Sequence, residues 1–319
     1  MSLLFLGLVY IVYLKVFKDA DWYAEVEASW LIAKEKSFSW VILLVSLTLI
    51  NFSLEGLRWQ QLLTHIHKIS WVKAIQSVFS GVTFAIITPN KIGDFAGRII
   101  YLPPNKKLAG ALATLVGGLA QTTVTFIFGI ASLSFFNYYH PSSWAKTLLG
   151  VAVLGLVAIL WAYFNMHRLG GLAKKNKSIR ILRTALWTLS RFDKRQLLKV
   201  LGISALRFTC YNLQFILLIH VLGAGLIWYK ALFLVPLMFW LITLIPSFFL
   251  ADIGVRSFIT YLVFIEPGIV ENEVVMIGSS LVIWLFNLIL PALIGLIFIF
   301  LKMLQDFIKK TPSKQEGVS

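Results

Sequence analysis

A chain of 319 residues that is 59% hydrophobic and only 13% charged, with mean hydropathy +0.83, is not an ordinary soluble domain, where charged residues make up about a quarter of the total. The formal charge of +15 would suit a nucleic-acid binder were it spread over a soluble surface, but ten Lys and Arg against one acid, Asp193, are gathered between His167 and Lys199. Such a run beside apolar segments is a juxtamembrane topology signal facing the cytoplasm and anionic headgroups, so nucleic acid is excluded as a partner and a polytopic membrane protein is indicated.

A hydrocarbon core of about 30 Å needs about 20 apolar residues of helix. The first candidate, Leu3 to Phe17, is short, about 22 Å at ~1.5 Å per residue. No basic residue precedes it and no small-x-small pattern follows, so it does not read as a cleaved signal peptide. Trp22 to Lys36 reads as an amphipathic helix on the outer interface, where its tryptophans belong. Clear spans follow at Ser39 to Leu54, Leu108 to Phe136, Thr147 to Tyr163, Val200 to Leu222 and Val274 to Leu301. Ile179 to Leu198 reads as a second amphipathic helix on the basic side, and Thr311 to Ser319 as a polar, disordered tail. The lone Cys210, inside an apolar helix, rules out an internal disulfide.

Two further stretches are apolar but broken, and they resemble each other. Trp71-Val72-Lys73-Ala74 leads to Pro89 and then Asn90-Lys91-Ile92-Gly93-Asp94 and Arg98; Trp228-Tyr229-Lys230-Ala231 leads to Pro246 and then Ala251-Asp252-Ile253-Gly254-Val255-Arg256. Trp to Pro is 18 positions in both, though Pro to Ile is three in the first copy and seven in the second. Leu57-Arg58-Trp59 and Leu206-Arg207-Phe208 precede the two copies. Corresponding Pro- and Gly-interrupted apolar segments in two halves of a membrane protein are the mark of a transporter built from repeats.

Charge balance fixes their topology. If Trp71–Leu102 and Tyr229–Phe264 each crossed once, the basic loops at 55–73 and 167–199 would face opposite sides, against the positive-inside bias. If each is a hairpin that returns to its starting side, those loops and the tail from Lys302 to Lys314 all face the cytoplasm, and the acidic loops Asp19–Glu35 and Glu266–Glu273 face outward. The fold class is therefore all-α and polytopic: about six full transmembrane helices plus two re-entrant or broken hairpins, one entering from each side, as an inverted repeat. It forms one transmembrane domain over 1–306, with repeat-like halves near 38–136 and 200–301.

Ionisable groups at membrane depth are functional candidates by default. Glu55 and Arg58, three apart on one helix, can pair near the cytoplasmic end of their span. Lys91, Asp94 and Arg98 belong to the first hairpin, Asp252 and Arg256 to the second, and Arg207 interrupts the 200–222 span. With Asn90 at the first break, these nine residues make a candidate substrate-binding set. Structural pairing that closes each hairpin is the competing reading of Asp94/Arg98 and Asp252/Arg256. Arginine forks suit phosphate oxygens, and helix N-termini exposed after Pro89 and Gly254 would add positive potential. A phospholipid headgroup is the anion at hand. The histidines (65, 67, 140, 167, 220) are scattered and give no metal site, no cofactor or nucleophile motif is present, and Gln121, Asn212, Gln214 and Asn287 read as interhelical hydrogen-bond formers.

Taken in order, Leu57-Arg58-Trp59-Gln60-Gln61-Leu62-Leu63, Thr88-Pro89-Asn90-Lys91-Ile92-Gly93-Asp94 with Arg98, and Ile245-Pro246 followed by Ile253-Gly254-Val255-Arg256 resemble the lysylphosphatidylglycerol synthase transmembrane-region family, the flippase-like membrane part of the multiple peptide resistance factor. The resemblance covers nearly the whole chain. Two departures stand out: Ser257 where a Glu commonly follows the second Gly-x-Arg, and Ala251-Asp252 where paired glycines are usual. The chain ends about 18 residues after Leu301, so the aminoacyl-transferring domain of some relatives is not expected. The resemblance implies a non-enzymatic flippase of a bacterial inner membrane, translocating a (phospho)lipid or lipid-linked headgroup, with membrane lipids of anionic or amphiphilic headgroup as partners and homo-oligomerisation left open. The alternatives are a membrane-embedded transferase using Asp94 or Asp252 as general base, and an accessory subunit of an envelope-lipid enzyme.

Overall fold

The computed structural model describes residues 22–35, 38–88, 91–168, 180–246, 249–270 and 272–310, and every regular element among them is helical. In chain order these are α1 (Trp22–Glu35), α2 (Ser39–Leu63), α3 (Trp71–Ile86), α4 (Gly93–Ile99), α5 (Lys107–Tyr139), α6 (Ser143–Phe164), α7 (Arg180–Ser190), α8 (Lys194–Val221), α9 (Trp228–Leu244), α10 (Phe249–Thr260), α11 (Glu273–Trp284) and α12 (Leu290–Lys310). Five runs are long and apolar enough to cross a membrane: α2, α5 with the turn from Pro104 that leads into it, α6, α8, and α11 continued into α12. The expected first span, Leu3–Phe17, and the polar tail lie outside the described residues.

Local chemistry sets the ends. Ser70, Ser142, Asp193 and Asn272 each accept the backbone N–H three residues on, satisfying a donor the helix cannot bond itself. The Asp193 cap, at 2.6 Å from Gln196 N, corrects one expectation: the basic stretch 179–198 is two helices, α7 and the start of α8, because that cap begins a new helix after Ser190. Between α11 and α12 the backbone is π-wound over Leu285–Ile289, just ahead of Pro291, which has no N–H to continue the regular ladder.

Both broken stretches are hairpins. Gly93 lies against the Phe84 carbonyl and Gly97 against the Ser80 carbonyl, so α4 runs back along α3. A Cβ on Gly97 would stand 2.3 Å from that oxygen, so only glycine lets the two backbones close. In the second, Thr260 donates to Met238 Sδ at 3.4 Å, bringing the end of α10 back beside the middle of α9.

Interhelical bonds give the directions. Gln196 reaches Gln61 O while Gln214 reaches Thr48 Oγ1, so α8 is antiparallel to α2. Thr83 bonds Ala292 O and Tyr101 bonds Phe298 O, so α12 runs antiparallel to α3. Ring contacts Phe126–Trp240 (5.6 Å) and Phe135–Phe233 (4.4 Å) set α9 antiparallel to α5. The open end of the α3–α4 hairpin therefore lies at the end of the bundle that carries His65 to Lys73 and Arg191 to Lys199, and the open end of α9–α10 lies at the other. One apolar core gathers on Trp59, Leu62, Leu63 and Val116, a second on Phe215, Leu237, Trp240 and Phe264. The outer face of α6 (Val151, Leu154, Val157) is exposed, as a lipid-facing helix requires.

Replacing Gly97 by Ala should destabilise the protein by about 1–3 kcal/mol through overpacking. Gly150→Ala, in helix α6 with open space around its Cα, should instead be neutral or stabilise by up to about 1 kcal/mol. Thermal unfolding of both variants in detergent checks the pair.

Candidate functional site

Glu55 on α2 is 2% exposed and meets three arginines from three helices. Arg58, one turn on, approaches at 2.7 Å; Arg98, from α4, at 2.6 Å; and Arg207, from α8, at 2.6 Å. Arg98 also grips Asp94 through Nε, at 2.8 and 2.9 Å, and lies over the Trp59 ring at 5.6 Å. Helix α5 completes the shell: Arg58 donates to Gly117 O and Gln121 Oε1, and Arg207 donates to the same Gln121 oxygen at 3.2 Å. Ser204 on α8 takes a further Arg58 bond at 3.0 Å.

These contacts require close backbones. A Cβ on Gly81 would collide with Asp94 Oδ1 at 2.3 Å, and one on Gly117 with Leu62 at 2.8 Å. Arg58 is five residues from the end of α2 and Ser204 ten from the start of α8, which puts the cluster about 8–15 Å in from the basic end at ~1.5 Å per residue.

A second centre sits one turn further along α8. Arg256 pairs with Asp252 at 3.0 Å, both buried on α10, and faces the hydroxyl of Tyr211, four residues beyond Arg207 and so on the same helix face. Among the described residues Arg256 Nη1 is buried without a hydrogen-bond partner, as is Arg58 Nε. Lys91, exposed at the tip of the first hairpin, lies within electrostatic range of Asp252 and Arg256 of the second. Its φ of 58° is a left-handed conformation that a non-glycine residue rarely holds. Thr88 Oγ1 accepts the Gly93 N–H at 2.7 Å, giving the broken backbone a partner where α4 begins.

Eight of the nine predicted site residues thus fall into two adjoining centres, and Asn90 lies outside the described residues. The expected helix start after Gly254 is corrected: α10 begins at Phe249 and Gly254 is interior to it, so no exposed N-terminus stands there. Ser204 and Tyr211 escaped notice, since a Ser or Tyr in an apolar helix carries no signal of its own, and Trp59 stood out only as part of the Leu57-Arg58-Trp59 triplet, not as a site residue. Gln121, read as an interhelical bridge, is one, and its partners are the two arginines. Gln214 and Asn287 bond each other as expected, whereas Asn212 bonds Phe208 O within its own helix. Among the described residues no group of His, Cys, Asp and Glu is placed to hold a metal ion.

The order of these features along the chain can now be set against known families. The sequence profile of the lysylphosphatidylglycerol synthase transmembrane region matches residues 2–295. The chain belongs to this family. Comparison with curated proteins gives no match. In this lysylphosphatidylglycerol synthase transmembrane region, the two motif departures are accommodated structurally: Ser257 bonds Ile253 O at 3.0 Å, and Asp252 supplies the acid that holds Arg256.

Glu55→Gln should cost about 3–5 kcal/mol, because it leaves three guanidinium groups without their shared anion. Adding Arg98→Gln in the same chain should cost less than the sum of the two single changes by about 0.5–3 kcal/mol. A double-mutant cycle on thermal unfolding in detergent checks this; additivity within about 0.5 kcal/mol would contradict the hub.

Proposed function

We propose that this protein is a flippase-like transporter of a bacterial inner membrane that moves a lipid with an anionic headgroup between leaflets, without performing chemistry on it. One observation carries the reading. The two adjoining centres hold four arginines (Arg58, Arg98, Arg207, Arg256) against three acids (Glu55, Asp94, Asp252), a net charge of +1, with two buried guanidinium nitrogens lacking partners among the described residues and Lys91 exposed at the hairpin tip beside them. An uncompensated charge is expensive there, and an anion that brings oxygen acceptors removes both deficits at once. Phosphate does so best, since guanidinium binds it bidentately.

The hairpins supply the route. They open toward opposite ends of the bundle, with Lys91 of the first within electrostatic range of Asp252 and Arg256 of the second, so an exchange of conformation between them would expose the anion site first to one side and then to the other. This is the logic of an inverted repeat with alternating access. The lipid's acyl chains would remain in the bilayer beside the exposed apolar flanks.

Arg98→Ala and Arg58→Ala should each lower lipid transport about ten- to a hundredfold in reconstituted liposomes, the effect of losing one charge-assisted hydrogen bond of about 1.5–3 kcal/mol. Protein should remain in the membrane. Wild-type transport by both variants would sink the anion-site assignment, and chemical turnover of a lipid-linked donor by the purified chain would favour a transferase.

Single cysteines at Ile92 and Thr243, both exposed near the hairpin tips, in a Cys210→Ala background, should change water accessibility in opposite senses when anionic lipid is added. Fixed accessibility at both positions would remove the alternating-access mechanism.

A further inference from the structure

Below the Glu55 cluster, at the basic end of the bundle, a cavity of about 100 Å³ is roofed by the amphipathic helix α7 and floored by the ends of α2, α5 and α8. Its lining includes His65, Lys106, Arg191, Trp187 and Gln196, and contains no acid. Arg191 is held in place, its guanidinium stacked 4.5 Å over the Trp187 ring. Gln196 is only 6% exposed; its Nε2 donates to Gln61 O, while its Oε1 has no partner among the described residues. A buried acceptor without a donor is costly, and one lining a cavity asks for a donor from whatever enters.

We infer that this cavity is a second headgroup site, which takes the phosphate of an anionic phospholipid of the cytoplasmic leaflet between Arg191, Lys106 and His65 while a headgroup hydroxyl donates to Gln196 Oε1. The two halves of the site select together. Cations without acids select an anion, and the free acceptor prefers a headgroup carrying a hydroxyl over one ending in a quaternary amine, which has no donor to give. The volume, well above the ~10–15 Å³ that a single water needs, admits a phosphate group and leaves the chains outside. The membrane is the natural source, because a basic amphipathic helix such as α7 lies in the headgroup layer.

Location gives the site its role. Leu62, on the cavity wall, also touches Gly117 beside Arg58, and Gln196 is eight residues, about 12 Å, before Ser204 on α8. The cavity is a vestibule two turns below the buried arginines. That role rests on the transport reading; the binding itself does not.

The test uses the full chain in detergent with Trp187 as reporter, its signal isolated by subtracting a Trp187→Phe variant. Brominated phosphatidylglycerol should quench it at a mole fraction about tenfold lower than brominated phosphatidylcholine does. The double variant Arg191→Gln/Lys106→Gln should abolish that preference, and Arg98→Ala, which disables the upper cluster, should leave it intact. Equal quenching by the two lipids, or a preference that survives the double variant, would overturn the site. Displacement by free glycerol phosphate at matched concentration would overturn the lipid as its source. Should Arg98→Ala transport normally while the quenching preference holds, the transport reading fails and the headgroup site stands.

Discussion

One buried carboxylate organises this protein. Glu55 cannot lie ionised in a low-dielectric interior unless cations surround it, and the three that do come from α2, α4 and α8, elements separated by up to 152 positions between Glu55 and Arg207. The converse holds for Arg58 and Arg207, whose one anionic partner among the described residues is this carboxylate, whereas Arg98 keeps Asp94 as well. Hydrophobic packing is a weak adhesive between helices in lipid, because the tails are as apolar as the side chains. In such a solvent, mutual dependence of buried charges fixes the half-span hairpin at one depth and one rotation, which apolar contacts alone would not.

Close backbone approach is what allows that dependence. The α3–α4 hairpin has glycine wherever its strands of helix meet: Gly81 leaves room for Asp94, Gly93 sits on the Phe84 carbonyl, Gly97 on the Ser80 carbonyl, and Gly295 of α12 fits against the Phe79 carbonyl from the other side. Gly81, Gly93 and Gly97 hold α4, and with it Arg98, close against α3. At the break Thr88 Oγ1 accepts the first N–H of α4, giving that donor a partner at depth.

Much of this was legible in the sequence, and the limits have physical causes. Spans follow from apolar length, which the bilayer dictates, and the hairpins from charge bias combined with the Pro and Gly breaks. Charged residues at depth are rare enough that Glu55, Arg58, Arg98 and Arg207 could be named as one set. Their mutual contacts could not: nothing in the spacing tells that Arg98 turns to Glu55 of another helix as well as to Asp94 of its own. Ser204 and Gln121 are indistinguishable by type from the polar residues that merely bridge helices, and Trp59 from any core aromatic. The break at Asp193 was missed because a continuous amphipathic period masks a cap whose effect depends on one side-chain rotamer.

The two hairpins correspond by charge rather than by the Ile-Gly pair that first suggests their likeness. Counted from Pro to Gly, the copies differ by four residues; counted from Pro to the Asp–Arg pair, Asp94 and Arg98 stand five and nine on, and Asp252 and Arg256 six and ten, a difference of one. In both, the acid and the arginine are four apart and paired, as one helical turn dictates. Ile-Gly precedes the acid in the first copy and follows it in the second, and Gly254 has no role like that of Gly93 at the break. What separates the hairpins is the next contact. Arg98 continues to Glu55 and through it to two more arginines, whereas Arg256 turns to Tyr211 and keeps one N–H unpaired. The same turn-spaced module is therefore locked into a network in one half and, among the described residues, left with an unpaired guanidinium nitrogen in the other, and α8, carrying Arg207 and Tyr211 one turn apart, is the helix that joins the two.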